Sequence, residues 1–164
     1  MQQLQNHKID KIYIVHSFET LKNAKTLGFL PGDKYEKILG SNLGTILSTK
    51  FGGLTVLKGL IEVNKVEIIP TSDLRGVEFG SRDLVFMTES QNIDTYTMKT
   101  LIQRCALGCK IIIEGDMLEQ VDIRATENGM KKLIEVFADS EYFSCVKLKK
   151  NHRNPISILA ENIF

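Results

Sequence analysis

Asp83-Leu84-Val85-Phe86-Met87-Thr88-Glu89-Ser90-Gln91-Asn92 runs apolar and then turns acidic and amide-rich. Ile111-Ile112-Ile113-Glu114-Gly115-Asp116 does the same further along the chain. A strand buried on both faces reads as such a continuous apolar run, and its C-terminal tip is where open α/β sheets bind ligands. One helix fits between the two tips. Asp94 is placed to cap it, and Met98, Leu101, Ile102 and Cys105 form its inner face.

Outward from these runs, strands alternate with helices. Lys11–Val15 and Val66–Ile69 read as strands by their β-branched and aromatic content, Pro70 closing the second. Lys110–Ile113 is a fourth strand after Leu84–Met87, and Cys145–Leu148 is expected to be a fifth. Met1–His7 looks like the tail of a helix. Phe18–Leu27 has helical spacing closed by Gly28, and Phe29–Asp33 is a turn. Lys34–Asn64 reads as helical pieces broken at Gly40, Gly44 and Gly52-Gly53. Thr71–Gly80 reads as a loop. A helix starting at Thr126 runs through Met130, Leu133 and Phe137, and Ile156–Ile163 closes the chain behind Pro155. The pattern predicts an α/β fold, a parallel sheet with helices on both faces. At 164 residues it fits a single domain, 1–164, with no linker or internal repeat.

Composition excludes several function classes. The net charge of +1 creates no global field toward nucleic acid or membrane. No apolar run approaches the roughly 20 residues that span a bilayer, and the polar start has no signal-peptide core, so a cytoplasmic location and no membrane partner are expected. Cys105, Cys109 and Cys145 are too few and scattered for a disulfide framework and lack further soft ligands for zinc; they read as buried thiols. Lys147–Arg153 is the best candidate for a local basic patch, either a nucleic-acid contact or a solvated face. No nucleophile elbow, His-Glu-x-x-His, Cys-x-x-Cys or dinucleotide fingerprint occurs.

The strand tips hold the residues that could carry chemistry. Glu89 could polarise an attacking water, or merely cap the next helix at its positive terminus. Thr88 stands where a nucleotide hydrolase places an Mg²⁺-holding Asp; its hydroxyl could orient a metal-bound water but adds no charge. Asp116 and Gln120 could sense a γ-phosphate or the Mg²⁺ water shell, or form a polar turn. Arg153 could stabilise transferred phosphate charge, or lie on the surface. His16 and Ser17 end the first strand, where a histidine is more often a loop residue than a base.

Together these segments resemble the PhoH family of P-loop ATPases, related to superfamily 1 helicases. Lys8–Val15 followed by Leu27-Gly28-Phe29-Leu30-Pro31-Gly32-Asp33 is similar to the family's strand after the phosphate loop and its Gly-Phe-Leu-Pro-Gly-Asp signature. Ile68-Ile69-Pro70 through Arg75-Gly76 and Phe79 resembles its Pro-Leu-x-x-x-Arg-Gly-x-x-Phe stretch. Thr88–Asn92 resembles its Asp-Glu-Ala-Gln-Asn motif, and Gly115-Asp116 through Gln120-Val121-Asp122 its Gly-Asp-x-x-Gln-Ile-Asp motif. Asn151–Pro155 resembles the Asn-Tyr-Arg-Ser element shared with helicases.

The resemblance implies a P-loop NTPase-like fold, ATP and Mg²⁺ as cofactors, and a suspected RNA role. It implies that Glu89 activates water, Gln91 lies beside it, Gln120 contacts the γ-phosphate region and Arg153 stabilises the transferred group. Four departures accompany it. The chain contains no Gly-x-x-x-x-Gly-Lys-Ser/Thr phosphate loop; Met1–His7 resembles the helix that comes after that loop. Thr88 replaces Asp. One extra residue separates Asp116 from Gln120. His16-Ser17 replaces the usual Arg-Pro. The loop's strand is central in such a sheet, and a chain without it has two facing strand edges unpaired. Each buried orphan amide or carbonyl costs roughly 1–3 kcal/mol. The sheet must then close over the gap, accept a partner strand, or belong to a longer reading frame. Triphosphate binding without the loop should be very weak.

Two functions are therefore expected to compete: an ATP-hydrolysing domain, and a non-catalytic remnant that pairs with another copy or a complete homologue. A receiver-like or flavodoxin-like domain is disfavoured, because the first strand lacks the acidic pair or hydroxyls such domains use.

Overall fold

The computed structural model describes residues 2–17, 34–116 and 128–148. In chain order these form α1 (Gln2–Gln5), β1 (Lys11–His16), α2 (Lys34–Leu39), α3 (Asn42–Phe51), α4 (Leu54–Glu62), β2 (Val66–Pro70), β3 (Asp83–Thr88), α5 (Thr95–Gln103), β4 (Lys110–Ile113) and α6 (Gly129–Phe137). The four strands make one sheet of order β2-β1-β3-β4, and every pairing is parallel. The expected P-loop NTPase-like α/β architecture is present.

Alternation along each strand sends side chains to two cores, one on each face. Tyr13 and Val15 of β1, Val85 and Met87 of β3 and Ile69 of β2 join Met98, Leu101 and Leu133 from α5 and α6. Ile12, Ile14, Val66 and Ile68 point the other way, onto Ile38, Leu43, Leu47 and Leu57 from α2, α3 and α4. The paired central strands β1 and β3 are thus covered on both faces, which is why their sequences are continuous apolar runs. Tyr13 and Phe79 meet edge to face with centroids 4.9 Å apart. The Lys11 ammonium beside Tyr13 bonds Glu67 of β2 at 2.6 Å.

Helix starts obey local chemistry. Asp94 accepts from the Thr97 backbone N–H and hydroxyl, both at 2.8 Å, as its position predicted. Burial pushes the Asp94 carboxyl up, but the Thr97 hydrogen bonds outweigh it and hold the group below its usual range. Ser41 caps α3, and Gly52 ends it at φ 90°.

Four expectations need correction. Gly44 does not break a helix; it lies in the first turn of α3. A Cβ there would stand 2.3 Å from the Leu39 carbonyl oxygen, so glycine is present for close approach to the end of α2, not for flexibility. Thr71–Gly76 is a 3₁₀ helix and not an open loop. Cys145–Leu148 belongs to no strand among the described residues, and Val146 and Leu148 are 80% and 87% exposed. A β-prone segment becomes a strand only against a partner edge, and this one makes no ladder. Cys145 is exposed and the other two thiols are half-buried, so none is the fully buried thiol expected. Burial, with Cys109 beside it, pushes the Cys105 thiol up to about 12.

The helix expected from Thr126 is α6, whose cap is Asn128; Thr126 itself lies outside the described residues. So do the Phe18–Leu27 helix, the Phe29–Asp33 turn, the closing Ile156–Ile163 helix and most of the basic run. Among the described residues no helix is long and apolar enough to cross a membrane.

Candidate functional site

Parallel pairing brings the C-terminal tips of β1, β3 and β4 side by side. The register sets His16 opposite Thr88, and Met87 opposite Ile113. Glu89, Gln91 and Asp116 therefore meet at one end of the sheet, as the acidic ends of the two apolar runs suggested.

Glu89 leaves β3 in the left-handed region, at φ 53° and ψ 40°. For a residue that carries a Cβ this costs on the order of 1–3 kcal/mol. The turn is held from β4. The Ser90 N–H donates to the Glu114 carbonyl at 3.0 Å, and the Ser90 hydroxyl donates to the same oxygen. The Glu89 N–H reaches the Glu114 carboxylate at 3.3 Å. The result is an exposed Glu89 carboxylate projecting from a rigidly seated backbone.

Gln91 supplies the rest of the support. It is 2% exposed, and its amide works at both ends. The Nε2 group donates to the Glu89 carboxylate at 2.8 Å, and Oε1 accepts from the Asp116 N–H at 3.2 Å. The Gln91 carbonyl accepts from the Asn128 side-chain amide at 2.7 Å. Gly115 makes room for this bridge, since a Cβ there would lie 2.9 Å from Gln91 N, Gln91 Oε1 and Met130 Sδ. One glutamine thus ties the β3 tip, the β4 tip and the start of α6 together.

Beside it, His16 Nδ1 lies 2.7 Å from the Thr88 hydroxyl. Burial lowers the His16 pKa, against the raising effect of the Glu89 charge. A mostly neutral imidazole results, which either accepts the Thr88 proton or donates to its oxygen. The Thr88 hydroxyl is oriented by a base that adds no positive charge to the tip. Among the described residues no group of three or more His, Cys, Asp or Glu is placed to hold a metal ion.

Next to these tips a groove of about 200 Å³ opens between Ser17, Thr71, Ser72 and the start of α5. Arg75 and Tyr96 line it, with the guanidinium 5.3 Å from the ring centroid, and Tyr96 is 60% exposed.

Glu89, Thr88, Gln91 and Asp116 fall at one place. Gln120 and Arg153 lie outside the described residues. Sequence reasoning does not single out Glu114, Ser90, Asn128 or the His16–Thr88 contact. Glu114 ends the second apolar run and so carries a signal. Asn128 stands before Gly129-Met130, a cap position that the nearby Thr126 obscures.

Comparison with known proteins gives the family of the chain. The family model described as PhoH-like protein matches residues 1–163. Protein PhoH2 of Bacillus subtilis (strain 168) is 28% identical over 151 residues, covering 85% of this chain and 33% of the relative. Protein PhoH of Escherichia coli (strain K12) is 30% identical over 149 residues, covering 88% and 41%. A PhoH-like protein of Bacillus subtilis is 28% identical over 162 residues, covering 93% and 48%. The chain spans one third to about half the length of these relatives. With a family match over residues 1–163, nearly its whole length, this chain belongs to the PhoH family.

Proposed function

We propose that this chain is the ATPase-type portion of a PhoH-like protein and contributes the water-activating side of an ATP and Mg²⁺ site. The observation that carries this reading is Glu89: an exposed carboxylate in a costly left-handed conformation, aimed by a buried glutamine that bonds it at 2.8 Å. Strain of this kind persists where surrounding contacts over-determine it.

The donors present fit half of the cofactor. Thr88, Glu89 and Asp116 offer hard oxygens of the kind Mg²⁺ prefers, with most of its shell left to water and phosphate. The phosphates need backbone N–H donors and a lysine, and this sequence holds no glycine-rich loop to supply them. Bound Mg²⁺ would neutralise charge developing on the phosphates. Glu89 accepts a proton from, or orients, the attacking water. Gln91 positions Glu89. Thr88, its hydroxyl oriented by His16 at 2.7 Å, would hold a water of the Mg²⁺ shell. Gln120 and Arg153 take the roles that the family pattern gives them, at the γ-phosphate and at the transferred group.

RNA is the coupled partner in this reading, and a cytoplasmic location accords with it. Support comes from the groove beside the tips, where exposed Tyr96 offers a face for a base and Arg75 a cation. Tyr96→Ala should then lower RNA stimulation of ATP hydrolysis while leaving the basal rate; stimulation unchanged by the substitution removes this groove from RNA contact.

The principal test is Glu89→Gln in a polypeptide that carries this chain together with its phosphate loop. Hydrolysis should fall at least about a hundredfold while ATP binding persists. Full turnover in that variant would remove Glu89 from its role. A second reading, a non-catalytic module that works by pairing with another chain, draws on Thr88 in place of Asp and its engagement with His16. It is favoured if neither this chain nor its longer form binds ATP.

A further inference from the structure

Thr88 ends β3 where the family pattern has an Mg²⁺-holding aspartate, and it brings a hydroxyl without a charge. On the neighbouring strand, Glu114 directly follows β4 and does carry one.

Backbone bonding sets these two residues side by side. In a parallel ladder a residue donates its N–H to the carbonyl one position before its opposite neighbour. The Glu114 N–H donates to the Met87 carbonyl at 2.9 Å, so its neighbour is Thr88, one step beyond the Met87–Ile113 pair. Alternation puts Leu84, Phe86 and Thr88 on one face of β3, and Lys110, Ile112 and Glu114 on the same face of β4. His16 joins the row from β1, its ring 2.7 Å from the Thr88 hydroxyl. Thr88 thus lies between an imidazole and a carboxylate.

The left-handed turn at Glu89 brings that carboxylate closer. Because Glu89 sits at φ 53°, the Glu114 carbonyl accepts from Ser90, one residue later than a regular ladder would have it. The displaced Glu89 N–H, on the peptide that joins Thr88 to Glu89, is received instead by Glu114 Oε2 at 3.3 Å. This is a long bond beside its companions. Ser90 N–H reaches the Glu114 carbonyl at 3.0 Å, and the Gln91 amide reaches Glu89 at 2.8 Å. The turn is therefore held without it, and the Glu114 charge is available to a cation at the β3 tip.

We propose that Glu114 is the metal-holding carboxylate of this site, supplying from β4 the negative charge that β3 lacks at Thr88. The proposal rests on the reading of this chain as one side of an ATP and Mg²⁺ site. Mg²⁺ keeps several waters and takes one or two carboxylates together with substrate phosphates, so it needs no cage of three protein ligands, and none is present among the described residues. The other carboxylates at the tip are placed differently. Glu89 is aimed by Gln91 and serves the attacking water. Asp116 lies past Gly115, with its backbone N–H tied to Gln91. Of the three, Glu114 alone shares the row with Thr88.

The test uses the polypeptide that carries this chain with its phosphate loop. Mn²⁺ is the probe, read by the loss of its free electron paramagnetic resonance signal in the presence of a non-hydrolysable ATP analogue. Glu114→Gln is the decisive variant, because its amide oxygen still accepts from the Glu89 N–H while the charge is gone. It should weaken Mn²⁺ binding at least about tenfold. The urea unfolding midpoint, and the analogue affinity measured in EDTA, should not change. Adding Thr88→Asp should restore Mn²⁺ binding, since a carboxylate returns to the same row. A Glu114 that merely props the turn predicts another pattern: glutamine harmless, alanine destabilising, and no rescue by Thr88→Asp. Unchanged Mn²⁺ binding in Glu114→Gln overturns the proposal. So does a loss that Thr88→Asp fails to restore, or one that Asp116→Asn produces in its place. If the wild-type polypeptide binds neither the analogue nor Mn²⁺, the nucleotide-site reading falls and this proposal with it. If it binds both and Glu114→Gln changes nothing, that reading stands and Glu114 alone is removed.

Discussion

Asn128→Ala should destabilise this chain far more than truncation of an exposed polar residue does. Asn128 is 3% exposed and makes two different bonds. Its Oδ1 accepts from the Lys131 N–H at 2.9 Å, which caps α6. Its Nδ2 donates to the Gln91 carbonyl at 2.7 Å, inside the turn that carries Glu89. Losing the cap costs about 1 kcal/mol. Leaving a buried carbonyl without its donor costs about 1–3 kcal/mol more. The sum, about 2–4 kcal/mol, is a large share of the 5–15 kcal/mol that typically holds a domain together. Asn128→Ser separates the two, because serine keeps a capping oxygen but cannot donate across to Gln91; it should recover about 1 kcal/mol of the loss. Urea unfolding followed by far-ultraviolet circular dichroism measures both. A loss under about 1 kcal/mol for alanine would refute the reasoning, since the Gln91 carbonyl would then be satisfied without Asn128. Equal losses for alanine and serine would show that the cap contributes nothing.

The same geometry predicts further outcomes. Gly115→Ala should destabilise by about 1–3 kcal/mol, because its Cβ would press on Gln91 and Met130 at 2.9 Å; a neutral result in thermal unfolding would mean the bridge has slack. His16 has its pKa lowered by burial, so below 6.5 the unfolded chain takes up a proton that the folded chain refuses. Stability should therefore fall as pH drops through 6.5 toward the folded value, and His16→Gln should flatten that part of the pH profile. An unchanged slope in the variant would assign the effect elsewhere.

The parts of the fold that were legible are those specified locally. Central strands flanked by neighbours on both sides and helices on both faces must be apolar throughout, and β1 and β3 announce themselves that way. Asp94 was readable as a cap because the bond it makes spans only three residues. What local sequence signals miscarry on is partnership. Gly44 looks like a helix breaker until Leu39 is seen 2.3 Å from where its Cβ would be. Cys145–Leu148 carries strand-forming side chains, yet β propensity expresses the fit to a neighbouring ladder, and none of the described strands takes it up.

The site divides in the same way. Two acidic strand tips separated by one helix were visible as a pattern, and the parallel sheet explains why they meet. Their supports were not visible, because each depends on which strands are neighbours. His16 and Thr88 are separated by 72 residues and touch only because β1 lies directly beside β3. Asn128 reaches back 37 residues to Gln91, a contact set by where α6 docks. A sequence displays the residues that face a ligand more readily than those that aim them. The facing residues sit at marked points such as strand ends, whereas the aiming residues are ordinary polar side chains whose importance arises from burial. Gln91 belongs to both groups. The family resemblance puts it beside Glu89, but its full engagement with Glu89, Asp116 and Asn128 gives it the work of holding a strained carboxylate still.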